Sequence, residues 1–238
     1  MSLAGLPLSL GGLSLQLLPG RAVWWPAEQT LFVADLHWGK EATFRQRGGM
    51  PIPDITRHEL DRLDRLLVET NCRRVVLLGD LVHSTSGRSA VVSSQIESWR
   101  QAIDRRLPGL ELLLIEGNHD RSAGALPDTW GLTRLAAPVR IGPLNCAHYP
   151  EEVGLGPGLA GHLHPRIDLR RGPDRLRLPC FWLRGEQLTL PAFAWFASHS
   201  AIAREPGDRV FAIADDEVLE LERDEAAEAP SRRRRARR

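Results

Sequence analysis

Residues 54–83 read DITRHELDRLDRLLVETNCRRVVLLGDLVH. Over 54–70, Ile55, Leu60, Leu63, Leu66 and Leu67 recur at the three- and four-residue spacing that lines one face of a helix, with charged residues opposite. Asp54 or Thr56 caps its start, because a short side-chain oxygen there accepts a hydrogen bond from a backbone N–H of the first turn. Past Cys72-Arg73-Arg74 the pattern changes to Val75-Val76-Leu77-Leu78, an unbroken apolar run that stops at Gly79-Asp80. A strand without polar alternation is buried on both faces, as in a parallel sheet covered on both sides.

The same order recurs downstream. A second helix is expected over roughly Ala90 to Arg106, then the apolar run Leu110–Ile115, then EGNHD at 116–120. Helix, strand, helix, strand predicts a parallel α/β sheet. Upstream, LSLQLLPGRAVWWPAEQTLFVAD (13–35) reads as short strands separated by turns at Pro19-Gly20 and around Pro26, the last running straight into Asp35. Beyond about residue 130, PVRIGPLNCAH (138–148), GLAGHLH (158–164), LRLPCFWLRGEQLTLPAFAWF (176–196) and RVFAIADDEVLELE (209–222) read as short, mostly antiparallel strands. RDEAAEAPSRRRRARR (223–238) has almost no apolar content. One domain over 1–222 and a disordered Arg-rich tail over 223–238 are therefore expected.

Composition narrows the function classes. The 238 residues are 42% hydrophobic and 26% charged, enough to bury a sizeable core. With 31 basic against 30 acidic residues the net charge is +1, so there is no global electrostatic signature of a nucleic-acid binder. The three cysteines, Cys72, Cys146 and Cys180, are odd in number and widely spaced, which reads as buried thiols rather than disulfides or a zinc knuckle. The apolar N-terminus lacks a basic n-region and is broken by Gly and Pro well short of a membrane span. A cytoplasmic location and no membrane partner are the expectation.

Chemistry concentrates at the ends of the apolar runs: Asp35-Leu36-His37, Gly79-Asp80-Leu81-Val82-His83, Gly117-Asn118-His119-Asp120, Ala147-His148 and Gly161-His162-Leu163-His164. In an open α/β sheet the carboxyl ends of parallel strands meet at one edge, so these residues can surround one crevice. Carboxylate oxygen and neutral imidazole together suit manganese, iron, zinc or cobalt, whereas magnesium sites seldom use several histidines. Asp35, His37, Asp80, Asn118, His148, His162 and His164 are too many ligands for one ion. A second ion requires a group able to touch both, and Asp80, central in chain order, is the candidate bridge. Such a pair lowers the pKa of a shared water, giving a hydroxide nucleophile that attacks a phosphate ester in line. His119, beside Asn118, is placed to protonate the leaving group.

The ordered blocks DLH, GDLVH, GNHD, H and GHLH resemble the calcineurin-like metallophosphoesterase superfamily over residues 35–164. That resemblance implies a four-layer α/β/β/α sandwich. It also implies one ion on Asp35, His37, Asp80 and His164 and another on Asp80, Asn118, His148 and His162. The superfamily often has Asp or Glu where His83 stands. ADLHWGKEATFRQRGGMPIP (34–53), with LPCFWL and LPAFAWF later, is similar to the bacterial ligase-associated DNA damage response endonucleases, over nearly the whole chain except the tail. This narrower resemblance implies manganese-dependent cleavage of DNA, single-stranded or damaged, in repair, and a functional link to a DNA ligase and helicase.

Blander readings stand beside these. His83, Lys40, Arg45 and Arg47 contact a substrate phosphate or belong to a solvated loop and its ion pairs. Asp120 reads as structural. The arginines at 166, 170, 171, 175 and 177 border the crevice or cover a solvated face. Trp24, Trp25, Trp182 and Trp195 sit in apolar runs and read as core rather than base-stacking surface. His58 reads as solvated, and His199 has no visible partner. The same metal core also serves phosphomonoesterases and small-molecule or cyclic-nucleotide diesterases, and a non-catalytic interaction module is the reading from a different class.

Overall fold

The structure, a computed structural model, describes residues 5–41, 54–171, 174–197 and 200–222. Arg45, Arg47, His199 and the tail over 223–238 lie outside the described residues. The first sheet runs in sequence order: β1 (Leu6–Leu10), β2 (Leu13–Leu18), β3 (Ala22–Trp25), β4 (Thr30–Val33), β5 (Arg74–Leu77), β6 (Glu111–Ile115) and β7 (Leu132–Leu135). The pairs from β1 to β4 are antiparallel and those from β4 to β7 parallel. Helix α1 (Ile55–Thr70) makes the β4-to-β5 crossover and α2 (Ala90–Arg106) the β5-to-β6 crossover. Asp54 caps α1, its carboxylate accepting from Arg57 N–H at 3.1 Å.

The apolar runs fill both faces of this sheet. Leu31, Val33, Val75, Leu77, Leu112 and Leu114 point one way, into a core with Leu60, Leu63 and Leu67 of α1 and Val92, Ile96 and Ile103 of α2. Their neighbours Phe32, Ala34, Val76, Leu78 and Ile115 point the other way, against Leu144, Cys146, Leu159, Phe181, Leu188 and Phe211 of a second sheet. The continuous hydrophobicity therefore reflects a sheet sandwiched between helices and another sheet.

That second sheet is built from β8 (Val139–Ile141), β9 (Leu144–Ala147), β10 (Gly158–Ala160), β11 (Pro165–Arg171), β12 (Asp174–Arg184), β13 (Gln187–Thr189), β14 (Ser200–Ala201), β15 (Arg209–Ala214) and β16 (Glu217–Leu221). Its path is β14-β11-β12-β13-β10-β9-β8, with β15 between β12 and β16. Its longer hairpins are antiparallel, as the sequence suggests. The short strands at its centre differ: β10 pairs parallel with both β9 and β13. The segment between β9 and β10 carries the chain back across a 3-10 turn at Pro150–Glu152, so both strands end at the same edge. Both sheets thus deliver parallel strand ends to one place. All three described α-helices, including the short α3 (Asn118–Ala123), come from the first sheet's connections.

Trp24, Trp25 and Trp182 are buried in the cores, and all three cysteines are buried and free. Trp195 departs from its expected place: it is 65% exposed. Beyond β13, Pro191 leads a non-strand segment in which Ala192, Phe193 and Ala194 turn inward while Trp195 and Phe196 face out. An apolar run in sequence does not distinguish that loop from a strand.

Candidate metal centre

Asp35 follows β4, Asp80 follows β5 and Asn118 follows β6; His148 follows β9 and His162 and His164 follow β10. Backbone hydrogen bonds lock these ends together: Asp35 N–H to the Gly79 carbonyl at 3.1 Å, His37 N–H to the Asp80 carbonyl at 2.9 Å and Gly161 N–H to the His148 carbonyl at 3.1 Å. Turning the side chains inward from these positions takes unusual backbone. Asp35, His37, Asp80, His162 and His164 all have positive φ, at 56°, 49°, 51°, 70° and 47°. Each such residue costs on the order of 1–3 kcal/mol, which the surrounding packing must offset.

The glycines of the motifs make room for the same side chains. A Cβ on Gly79 would lie 2.2 Å from His148 Nδ1, and Gly79 itself has φ +81. A Cβ on Gly117 would lie 2.2 Å from Asp80 Oδ1. On Gly161 it would lie 2.8 Å from Asp35 Oδ2. The residue before each of Asp80, Asn118 and His162 is thus small because a ligand-type side chain from elsewhere in the chain occupies that space.

Three clusters of ligand-type atoms form among the described residues, each with its atoms within 4.8 Å of one another: Asp35, His37 and His164; Asp80, His148 and His162; and His37, His83 and His119. In the first, His164 Nε2 lies 3.3 Å from His37 Nε2 and 3.4 Å from Asp35 Oδ1. In the second, His148 Nε2 lies 3.4 Å from Asp80 Oδ2, 3.1 Å from His162 Nδ1 and 3.3 Å from Asn118 Oδ1. Asp80 joins the two, hydrogen-bonded to His148 and within electrostatic reach of His37. The third cluster brings in His83, whose ring stacks on His119 at 5.2 Å.

The tautomers follow from the acceptors. A carbonyl oxygen only accepts, so His148 Nδ1–H donates to Leu78 O at 2.9 Å and His119 Nδ1–H donates to His83 O at 2.5 Å. Both Nε2 atoms are left facing Asp80 Oδ2, at 3.4 Å and 3.8 Å. Burial drives His37 down to about 2, with His164, His119 and Lys40 adding to the effect against Asp80, so its ring is neutral. Burial would likewise lower His148, but its hydrogen bond to Asp80 and the charges of Asp35 and Asp80 raise it; Asp80 is held low despite its own burial.

These residues fit divalent ions. Asp35 Oδ1 is buried without a hydrogen-bond partner, although Oδ2 accepts from His162 N–H at 2.9 Å. Converging imidazole nitrogens surround two buried carboxylates with which no lysine or arginine among the described residues is ion-paired. A cleft of about 220 Å³ opens onto the cluster, lined among others by Lys40, His83, His119, Leu163 and Ser200.

Tyr149 has a role that the sequence reading did not assign, whereas Asp120 takes the structural role that was expected of it. Tyr149, the only tyrosine of the chain, donates its hydroxyl to Asn118 Oδ1 at 3.0 Å and packs on His148 and His162. Its position directly after His148 was the available signal. Asp120, fully buried, accepts from Gly117 N–H at 3.0 Å and from Leu81 N–H at 2.9 Å, tying the Asn118 loop to the Asp80 loop. Arg166 and Arg175, by contrast, are engaged by Asp168. His58 is exposed on α1.

Among solved structures, a nuclease, MPE, from Pseudomonas putida is 36% identical to this chain, covers 91% of it and 100% of its own length, and superposes with a TM-score of 0.78. The chain belongs to the calcineurin-like metallophosphoesterases. It is a metal-dependent phosphoesterase hydrolase, and the two-sheet sandwich is that family's fold. Yfce, a phosphoesterase from E. coli, aligns over 81% of this metallophosphoesterase and 97% of its own chain, at 14% identity and a TM-score of 0.40, too distant to carry an argument. No protein-family model and no curated protein matches the sequence.

The Gly117 contact yields a direct test. Gly117→Ala pushes a methyl group into Asp80 and is expected to weaken divalent-metal affinity by about 10- to 100-fold, measured by calorimetric titration of the folded variant. Wild-type affinity would show that Asp80 need not sit where it does.

Proposed function

We propose that this metallophosphoesterase is a two-metal phosphodiesterase that cuts DNA, single-stranded or damaged, with manganese as the working ion and DNA repair as the setting. The observation that carries the two-metal part is the meeting of two histidine–carboxylate clusters at Asp80. The nucleic-acid part draws on the P. putida relative, which is a nuclease. On the sequence resemblance, the proposal extends to a functional link with a DNA ligase and helicase; a cytoplasmic setting is proposed separately, from the odd number and wide spacing of the cysteines.

Asp35, His37, Asp80 and His164 would hold one ion, and Asp80, Asn118, His148 and His162 the other. This mixed oxygen and imidazole set suits manganese, iron, zinc or cobalt better than magnesium. When bound, the ions supply Lewis acidity toward the phosphoryl oxygens and the attacking water. The chain does the rest. Tyr149 orients the Asn118 amide so that its oxygen faces His148. The Leu78 carbonyl fixes the His148 ring with Nε2 toward Asp80. His119, turned by the His83 carbonyl, lines the cleft, and we assign its doubly protonated ring the delivery of the Nε2 proton to the leaving oxygen, which leaves the neutral ring with Nδ1–H on His83 O. Lys40 and His83, which also line the cleft, are assigned to the substrate phosphate, and Arg45 is given the same task from sequence alone.

A hydrolysis panel tests this directly. With manganese, a single-stranded oligonucleotide and a bis-aryl phosphate are expected to be cut, a mono-aryl phosphate to be a poor substrate, and nothing to be cut without metal. Faster hydrolysis of the monoester would replace this reading with a phosphomonoesterase.

His119→Ala is expected to slow cleavage of DNA by roughly 10²–10⁴, with the number of ions bound per chain unchanged in elemental analysis. The loss should be smaller for a nitrophenolate leaving group, which needs no proton. A variant that instead loses metal would move His119 into the ligand set.

A further inference from the structure

Six of the seven tryptophans are accounted for by packing. Trp24, Trp25, Trp38, Trp130 and Trp182 are buried, and Trp99 packs against the helix-side core. Trp195 and its neighbour Phe196 are 65% and 51% exposed. Two large aromatic side chains left in water side by side forgo about 25 cal/mol per Å² of burial, and such exposed apolar surface marks a contact site.

The backbone beneath them is held by hydrogen bonds. Ala194 N–H donates to the Asp35 carbonyl at 3.0 Å and Phe193 N–H to the Ala34 carbonyl at 2.7 Å. The Arg21 guanidinium donates to the Ala192 and Ala194 carbonyls at 3.1 Å and 2.9 Å. Arg62 donates to the Phe193 carbonyl and stacks on the Phe193 ring at 3.8 Å. Trp195 N–H itself donates to Glu59 Oε1 at 3.1 Å. Arg21 and Glu59 are both buried, so two ionisable side chains that are costly to bury are committed to fixing a loop whose aromatic side chains point away from the protein.

The loop is also continuous with the candidate metal centre. On one side Ala194 bonds to the backbone of Asp35; on the other Ser200 N–H donates to the His164 carbonyl at 3.2 Å, and Ser200 lines the cleft. Glu59, which accepts from Trp195, also lies in electrostatic reach of Lys40 at the cleft wall. The Arg21 guanidinium lies 5.5 Å from the Trp195 ring centre, adding positive charge beside an aromatic face.

We propose that Trp195 and Phe196 form a nucleobase-stacking platform on which unpaired bases of a single-stranded DNA substrate rest while the adjoining phosphodiester lies in the metal cleft. The proposal rests on the nucleic-acid reading above. Unpaired bases expose the π-faces that aromatic side chains bind, whereas in a duplex those faces are stacked on one another. The platform therefore selects for single strands, and it does so with little regard to sequence, because every base has such a face. The balanced net charge of the chain makes a local aromatic contact the more valuable, since bulk electrostatics supply little.

The test compares two oligonucleotides of equal length, one a thymidine strand and one abasic throughout, in the full-length manganese-loaded protein and in the double variant Trp195→Ala, Phe196→Ala. In the wild type the base-bearing strand is expected to have a kcat/KM about tenfold or more above that of the abasic strand, mostly through KM. In the double variant that ratio should collapse toward one, and Trp195→Phe with Phe196→Tyr should restore most of it. Binding of the same fluorescent strands in chelator, read by anisotropy, should give the same ordering without turnover. An unchanged ratio, including the case in which both strands lose equally, would overturn the platform and leave the loop with a purely structural task. Wild-type protein that hydrolyses methyl nitrophenyl phosphate but neither strand would overturn the nucleic-acid reading itself, and the platform with it.

Discussion

Two carboxylates, Asp35 and Asp80, lie buried at the rim of the first sheet amid imidazole nitrogens that converge on them. Ionised carboxylates taken out of water are stable only when countered, and no lysine or arginine in the described structure is ion-paired with either one. The histidines and, in the proposed state, divalent cations provide that balance. Much of the local architecture is arranged to keep this charge in place. Five residues accept left-handed backbone, three glycines vacate the space that ligand-type side chains fill, and Asp120 clamps two loops through their N–H groups. Strain of this kind persists only where surrounding structure over-determines it, and here two sheets and their shared core supply the constraint.

The centre depends equally on topology. Parallel strands whose ends coincide bring Asp35, Asp80 and Asn118 together from one sheet and His148, His162 and His164 from the other. Hydrogen bonds between the two groups, such as His162 N–H to Asp35 Oδ2 at 2.9 Å, run across the sandwich. Loss of registration between the sheets would therefore separate the clusters even with every side chain retained.

The first sheet and its helices were legible in the sequence because α1, α2, β5 and β6 carry strong periodicity or unbroken apolar runs, and Asp54 supplies a visible cap. The histidine and carboxylate blocks were legible because they punctuate those runs. Less accessible was the parallel pairing of β9, β10 and β13, since strands of three or four residues carry no pattern that sets their direction. Trp195 was misread for a related reason: hydrophobicity records what a side chain prefers, whereas its exposure was decided by Arg21, Arg62 and Glu59, all distant in sequence, which fix the loop backbone. Tyr149 escaped notice because its partner, Asn118, is thirty-one residues away.

Chemistry and substrate selection accordingly reside in adjoining but separately built places, a polar cluster at the strand ends and an aromatic loop anchored to the same backbone. The central claim concerns the first. Anomalous diffraction at the manganese edge, from crystals of the manganese-loaded protein, tests it most directly. The account predicts two peaks about 3.5–4 Å apart, with the Asp80 carboxylate between them and bonded to both. A single peak, or two peaks of which Asp80 touches only one, would contradict it.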